Sequence, residues 1–261
     1  MRQVLIHIRH GIVSAWHHGF FFALLTCTFL VSCEKDHMFD FLKSTGKDVT
    51  ITRDVPEYFT QVRIENNINA VFTQGSGYSI RLEGGENLLP GIDTEIKDSL
   101  LTIRNNNRFN WVRAYDRKIT AYITAPHFLK IGYEGTGTLT NTDTIREDSI
   151  FITAYAGSGY LNFCLDVGLS HLVMTSGSAD FNISGHSGSN FIFAGSYGPF
   201  HCQELETFNT YMSNKGTNDC YIYVKNHLEY DISGLGNIYC KGNPSSIIGG
   251  STSEGKLILQ P

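Results

Sequence analysis

Six short turns of small residues recur through the second half of the chain, and their spacing limits the possible folds more than any other feature. They are Gly135-Thr136-Gly137, Gly157-Ser158-Gly159, Gly177-Ser178-Ala179, Ser196-Tyr197-Gly198, Asn214-Lys215-Gly216 and Gly234-Leu235-Gly236, and their first residues lie 22, 20, 19, 18 and 20 positions apart. Between them run short stretches of alternating apolar and polar residues, the patterning of strands with one buried face. A period of about twenty with that alternation predicts a parallel β-solenoid, because a single such unit cannot bury its own apolar side chains and must stack on the next. Glycine suits the corners for a steric reason: a sharp bend needs positive φ, or leaves no room for a Cβ against the neighbouring coil.

Upstream, from Val49 on, the chain also alternates with period two. Val49-Thr50-Ile51-Thr52, Val62-Arg63-Ile64, Ala70-Val71-Phe72, Tyr78-Ser79-Ile80-Arg81-Leu82, Leu100-Leu101-Thr102-Ile103 and Ile119-Thr120-Ala121-Tyr122-Ile123 read as about six short strands over residues 49–125. Charged residues make up only 17% of the chain and glycines number 26, while Ala/Leu-rich helical stretches are almost lacking, so the expected fold class is all-β. The solenoid repeats over residues 126–261 are expected to continue the same domain.

The N-terminus carries an address. Arg2 and Arg9 precede an apolar run from Phe20 to Val31, closed by Ser32-Cys33. That order of basic region, apolar core and small residue is that of an export signal, and the run is too short to span a membrane as a helix. Leu30-Val31-Ser32-Cys33 resembles a bacterial lipobox, in which cleavage before the cysteine leaves its thiol to carry a diacylglycerol. Cys33 is therefore the expected lipid-attachment residue, residues 1–33 the signal peptide and residues 34–48 a short tether. Glu34, rather than Asp, follows the cysteine, so the inner-membrane retention signal is missing. The expected location is the cell envelope, at the outer membrane, either surface-exposed or periplasmic. Loss of the leader leaves 18 basic and 25 acidic residues, a net charge of −7 that does not favour nucleic acid as a partner.

Four cysteines remain in the exported part: Cys164, Cys202, Cys220 and Cys240. Cys202, Cys220 and Cys240 each lie six residues after the first residue of a turn, where earlier coils hold Phe163 and Ile183. Phe, Ile and Cys interchange in an apolar interior, so the three cysteines are expected to form one inward column, as free or partly oxidised core thiols, with a disulfide between adjacent coils as the strained alternative. A straight stack of thiols does not converge on a tetrahedron, and no metal site is expected there.

Several segments taken in order resemble a known family. They are Val55-Pro56-Glu57-Tyr58-Phe59-Thr60-Gln61-Val62-Arg63-Ile64, then Ala70-Val71-Phe72-Thr73-Gln74-Gly75 with Tyr78-Ser79-Ile80, then Gly84-Gly85-Glu86-Asn87-Leu88-Leu89, Leu100-Leu101-Thr102-Ile103, and Pro126-His127-Phe128-Leu129-Lys130-Ile131 opening the repeats. In this order, over about residues 46–240, they resemble the auto-transporter adhesin head domain, also called the DUF2807 or GIN domain, of Bacteroidetes lipoproteins. The resemblance implies a right-handed parallel β-helix-like fold and a surface location. It brings no ligand, cofactor or catalytic residue onto any position of this chain.

Searching the residues for chemistry yields few convergent groups. Outside the leader, His37, His127, His171, His186, His201 and His227 match no zinc-binding spacing. His127, His171 and His227 each precede an apolar residue that opens a strand, which suggests corner positions along one edge, as a ligand ladder or as solvated turn residues. Gly157-Ser158-Gly159 and Gly177-Ser178 sit at repeat corners, away from any nucleophile elbow. Asp166, Asp180, Asp219 and Asp231 are the carboxylates available for a glycosidase or lyase, but they share no single phase of the repeat. Tyr155, Tyr160, Tyr197, Tyr211, Tyr221, Tyr223, Tyr230 and Tyr239 offer platforms for sugars or proteins if they face outward. The polar insertion Asn106-Asn107-Arg108-Phe109-Asn110-Trp111-Val112-Arg113 is a second contact surface. The expected function is non-catalytic binding or adhesion to a glycan or protein ligand, with the membrane as the other partner through lipid. The alternatives are a polysaccharide-acting enzyme on a β-helix and a purely structural envelope protein.

Overall fold

The corner glycines show why the coils close as they do. In the computed structural model, which describes residues 45–107 and 118–261, Gly177 has φ +91° and a Cβ built on it would stand 2.3 Å from the carbonyl oxygen of Gly157. Gly157, φ +120°, bears in the same way on Gly135. Only glycine combines that backbone with that proximity. The leader with Cys33, residues 34–44 of the tether, and residues 108–117, which include 108–113 of the polar insertion, lie outside the described residues.

The molecule is a β-solenoid of about seven turns, with coils about 20 residues apart, and no α-helix occurs among the described residues. Its repeating part is β8 (Lys130–Gly135), β9 (Thr138–Asn141), β10 (Ile145–Gly157), β11 (Tyr160–Met174), β12 (Asp180–Ala194), β13 (Phe200–Asn214), β14 (Cys220–Ile232), β15 (Ile238–Lys241), β16 (Ser246–Ser251) and β17 (Leu257–Gln260). The long strands β11 to β14 run along one face of the coil, turn a corner and continue along a second face. Inward positions change parity at that corner: Leu161, Phe163, Leu165 and Val167 are buried before it, and Ser170, Leu172 and Met174 after it. Each face is a parallel ladder with the coils on either side, in register except along β13, where the pairing shifts between Cys202 and Glu206 on the first face and between Thr207 and Asn209 at the corner.

The N-terminal part contains, among the described residues, seven strands rather than six: β1 (Asp48–Arg53), β2 (Gln61–Asn66), β3 (Asn69–Gln74), β4 (Ser79–Gly85), β5 (Ile92–Lys97), β6 (Leu100–Asn105) and β7 (Thr120–Ala125). β5 escapes the sequence reading because its hairpin with β6 turns on Asp98-Ser99, a pair without the usual Gly or Asn. Both residues adopt positive φ, 51° and 62°. These strands do not stack in chain order. β2 lies between β6 and β8, and β3 between β7 and β9, all in parallel. The antiparallel pairs among the described residues, β1–β4, β4–β7 and β5–β6, are gathered at this end.

The apolar interior is organised as columns running through the coils. One passes through Ala70, Leu139, Leu161, Phe181, Phe200, Cys220 and Ile238. The next passes through Cys202, Ile222 and Cys240. The expected single column of three cysteines is therefore corrected: Cys220 stands between Phe200 and Ile238, one column away from Cys202 and Cys240. The cause is a turn placed two residues too early. Asn214 ends β13 as a fully buried residue in register with Ala194 and Ile232, and the corner falls at Gly216, over the Ser196 carbonyl and under Gly234. Cys164, Cys202, Cys220 and Cys240 are all free thiols.

Candidate binding face

Outward positions on the second face build two parallel ridges. The first carries Phe151, His171, Phe191, Tyr211 and Glu229 on successive coils. Two residues further along each strand, the second carries Val173, Phe193, Ser213 and Asp231. In the first ridge, ring centroids are 4.1 Å apart for Phe151 and His171, 4.9 Å for His171 and Phe191, and 4.7 Å for Phe191 and Tyr211, with planes within 13° of parallel. That spacing is the distance between neighbouring strands, so the ladder follows directly from placing a ring at one position in four consecutive coils.

Stacking decides what this ladder can offer. The faces of the inner rings are covered by one another, so the ridge presents ring edges to solvent rather than flat platforms. Between the two ridges lies a groove of about 400 Å³, floored by Ile192, Met212 and Tyr230. Phe191, Phe193 and Tyr211 give it apolar walls, and Glu229 and Asp231 line one end. The Lys215 ammonium stands 5.7 Å from the centroid of Phe193. Partial burial between two phenyl rings holds the His171 imidazole below its ordinary pKa, which favours the neutral ring.

None of the eight tyrosines expected as contact residues is fully buried, but Tyr230 is half-buried and packs against the core. The other seven divide into three kinds. Tyr211 belongs to the ladder just described, and Tyr221 and Tyr239 stack at 4.9 Å in a second one on the first face, continued by His201. Tyr155 and Tyr223 lie under Arg63 and Lys241. Tyr160 and Tyr197, 52% and 64% exposed, are the freest of the set. The one fully buried tyrosine among the described residues is Tyr133, whose hydroxyl donates to the Gly137 carbonyl at 2.8 Å.

The histidines do not form a ladder of ligands. His171 is a member of the aromatic stack on a strand, not a corner residue. His127 contacts Glu147 at 3.2 Å, and His227 contacts the Ser246 hydroxyl at 3.0 Å. Among the described residues no group of His, Cys, Asp and Glu could hold a metal ion. The aspartates are dispersed as well. Asp166 pairs with Arg146 at 3.7 Å, Asp219 accepts from the Asn237 amide at 2.8 Å, and Asp231 lines the groove. Asp180 and Asp219 do share a phase once the Asn214 turn is corrected, but Pro199 occupies the coil between them, a separation of roughly 10 Å at the usual strand spacing. Of the polar insertion, Asn106 and Asn107 are described: the Asn106 amide donates to the Asp93 carboxylate, and the Asn107 amide donates to the Leu88 carbonyl at 2.8 Å, tying the start of the loop back to the solenoid.

The family model described as "Putative auto-transporter adhesin, head GIN domain" matches residues 58–244. A crystal structure described as a putative adhesin from Bacteroides fragilis superposes with a TM-score of 0.74 at 19% identity, covering 82% of this chain and 97% of that one. Another so described, from Parabacteroides distasonis, gives 0.60 at 17% identity, covering 82% and 98%. A third from the same species, described as a putative lipid binding protein, gives 0.60 at 15% identity over 84% and 98%. These likenesses show a shared fold. No curated protein matches the chain.

Proposed function

The chain belongs to the auto-transporter adhesin head GIN-domain (DUF2807) family, and from that premise we propose that it is a lipid-tethered, non-catalytic binding module of the cell envelope. Its contact surface is the groove between the ladder of Phe151, His171, Phe191 and Tyr211 and the ridge of Val173 and Phe193. The groove carries the reading: aromatic side chains are grouped at the surface across several coils, where a buried position would have served packing alone. Its occupant is a glycan or protein segment that packs against ring edges along the solenoid axis. With Glu229 and Asp231 at one end, that occupant is neutral or basic there. The scattered aspartates are consistent with binding without turnover.

The lipid at Cys33 is the second half of the proposal, supported by the lipobox-like Leu30-Val31-Ser32-Cys33. Attachment at the outer membrane places the groove where a partner outside the cytoplasm reaches it. Two measurements test the reading on the full chain. Cys33→Ser is expected to abolish metabolic labelling with a fatty-acid analogue. Phe191→Ala with Tyr211→Ala is expected to weaken binding to a glycan array or to cells about tenfold or more, with circular dichroism unchanged. Phospholipid vesicles belong in the same panel, because one relative of this fold is described as lipid binding. Binding that survives both groove substitutions, or release of sugar from any polysaccharide tested, overturns the proposal.

A further inference from the structure

Given that the groove is the contact surface, a premise taken from the proposed function, its chemistry selects one class of occupant. The backbone beneath it is already committed, since each strand there is paired with the coils on both sides, so a partner meets side chains alone. The neutral polar side chains on the groove are the His171 imidazole and the hydroxyls of Tyr211, Tyr230 and Ser213. Ser213 is already engaged, donating to the Asp231 carboxylate at 3.5 Å. A sugar ring brings several hydroxyls that need partners once desolvated, and it packs best on a flat aromatic face. Here both faces of the His171 and Phe191 rings are covered by stacking, and the Lys215 ammonium stands over Phe193. Ring edges with few donors between them suit apolar side chains instead.

The acidic end of the groove supplies the charge. Glu229 and Asp231 are exposed on one side of β14 and form no ion pair with a described residue. Alternate residues of a strand stand about 7 Å apart, so a single guanidinium or ammonium between them reaches both carboxylates. Unpaired carboxylates beside an apolar surface attract a cation and repel an anion. Spacing fixes the rest. The coil of Phe191 and Phe193 lies two strands from that of Glu229 and Asp231, roughly 10 Å away. In an extended chain, residues i and i+2 face the same way about 7 Å apart, and the flexible stem of a Lys or Arg covers the difference.

We infer that the groove binds an extended polypeptide segment of the pattern apolar-x-basic, lying along the solenoid axis. The apolar side chain enters between Phe191 and Phe193, and the Lys or Arg two residues away lies between Glu229 and Asp231. Such a segment crosses the strands instead of adding to them, and its own N–H and C=O groups stay in water. An acidic segment is repelled by the same two carboxylates.

The test is a selection of random decapeptides displayed on phage against the full chain in detergent, followed by fluorescence anisotropy with the selected peptides made synthetically. Peptides carrying apolar-x-Lys or apolar-x-Arg are expected, with an affinity that falls as salt is raised. Glu229→Gln with Asp231→Asn is expected to weaken their binding about tenfold or more and to remove most of the salt dependence, with circular dichroism unchanged. Glu229→Lys with Asp231→Lys is expected to turn the selection towards acidic peptides. Phe191→Ala with Tyr211→Ala tells a wrong occupant from a wrong site. Peptide binding lost in that variant but unchanged in Glu229→Gln with Asp231→Asn, or a groove-dependent glycan with no peptide selected, overturns the apolar-x-basic assignment and leaves the groove as the contact surface. Peptide binding that ignores both pairs of substitutions, or no groove-dependent peptide or glycan at all, overturns both.

Discussion

Phe151 and His171 stand on neighbouring coils with ring centroids 4.1 Å apart and planes 4° from parallel, the tightest stack in the outward ladder. A phenyl ring covers each face of the imidazole, since Phe191 lies 4.9 Å away on the other side. Aromatic pairs of this kind add about 0.5–1.5 kcal/mol beyond area burial. His171→Ala is expected to cost on the order of 1 kcal/mol in urea denaturation, and His171→Phe to restore it.

The same stack makes stability depend on pH. Burial lowers the folded-state pKa of His171 below its ordinary 6.5. The unfolded chain therefore takes up a proton at a higher pH than the folded one. The contribution of the neutral ring is fully present above pH 6.5. It is lost as the pH falls from 6.5 through the folded value, and levels off below that. Melting temperatures measured between about pH 8 and pH 5 should decline on the acid side, and the decline should be smaller in His171→Phe; equal slopes would refute the assignment.

Asn214 is buried in register with Ala194 and Ile232, and its amide holds the next corner. Its Nδ2 donates to the Gly236 carbonyl at 2.9 Å and its Oδ1 accepts from the Gly216 amide at 3.0 Å. Asn214→Ala leaves a buried donor and a buried acceptor without partners, at about 1–3 kcal/mol each. Asn214→Leu matches the apolar neighbours yet loses both bonds, so it too should destabilise. Equilibrium unfolding of the two variants checks this.

A Cβ at residue 177 collides with the Gly157 carbonyl at positive φ, whereas one at residue 77 meets nothing within 4 Å. Gly177→Ala should lower stability by about 1–3 kcal/mol or more, from backbone strain together with displacement of the adjoining coil. Gly77→Ala should stay within about 0.5 kcal/mol of the parent, the range usual at exposed sites. Paired denaturation curves give the comparison directly.

Burial pushes the Cys220 thiol up to about 12 and the Cys240 thiol up to about 11, and raises Cys202 as well. Thiolate is the reactive form, so these three should resist maleimide in the native protein. Cys164 is half-buried and should label first. Mass spectrometry of timed samples reads the order, and prompt labelling of Cys202 or Cys220 would contradict the columns described above.

The sequence alone carried the architecture. A period of about twenty with small residues at the corners leaves stacking as the way to bury Leu161, Phe181 and Phe200, because no coil can do so alone. Alternation also showed which side chains face in, as Phe163, Ile183, Cys202 and Cys240 confirm by their burial. Neighbour relationships were beyond it. Asn214 reads equally well as a turn residue or as the end of a strand, since its short amide serves either. Taking it as a turn shifted one coil by two residues, which preserves inward facing and therefore raises no conflict, yet moves Cys220 into the wrong column. The insertion of β2 and β3 between strands later in sequence left no local trace either, because parallel partners are chosen by the stack and not by the connecting chain. For the same reason the groove belongs to tertiary structure. Phe191, Phe193, Tyr211 and Asp231 come from three coils, and only the register between those coils makes them one surface.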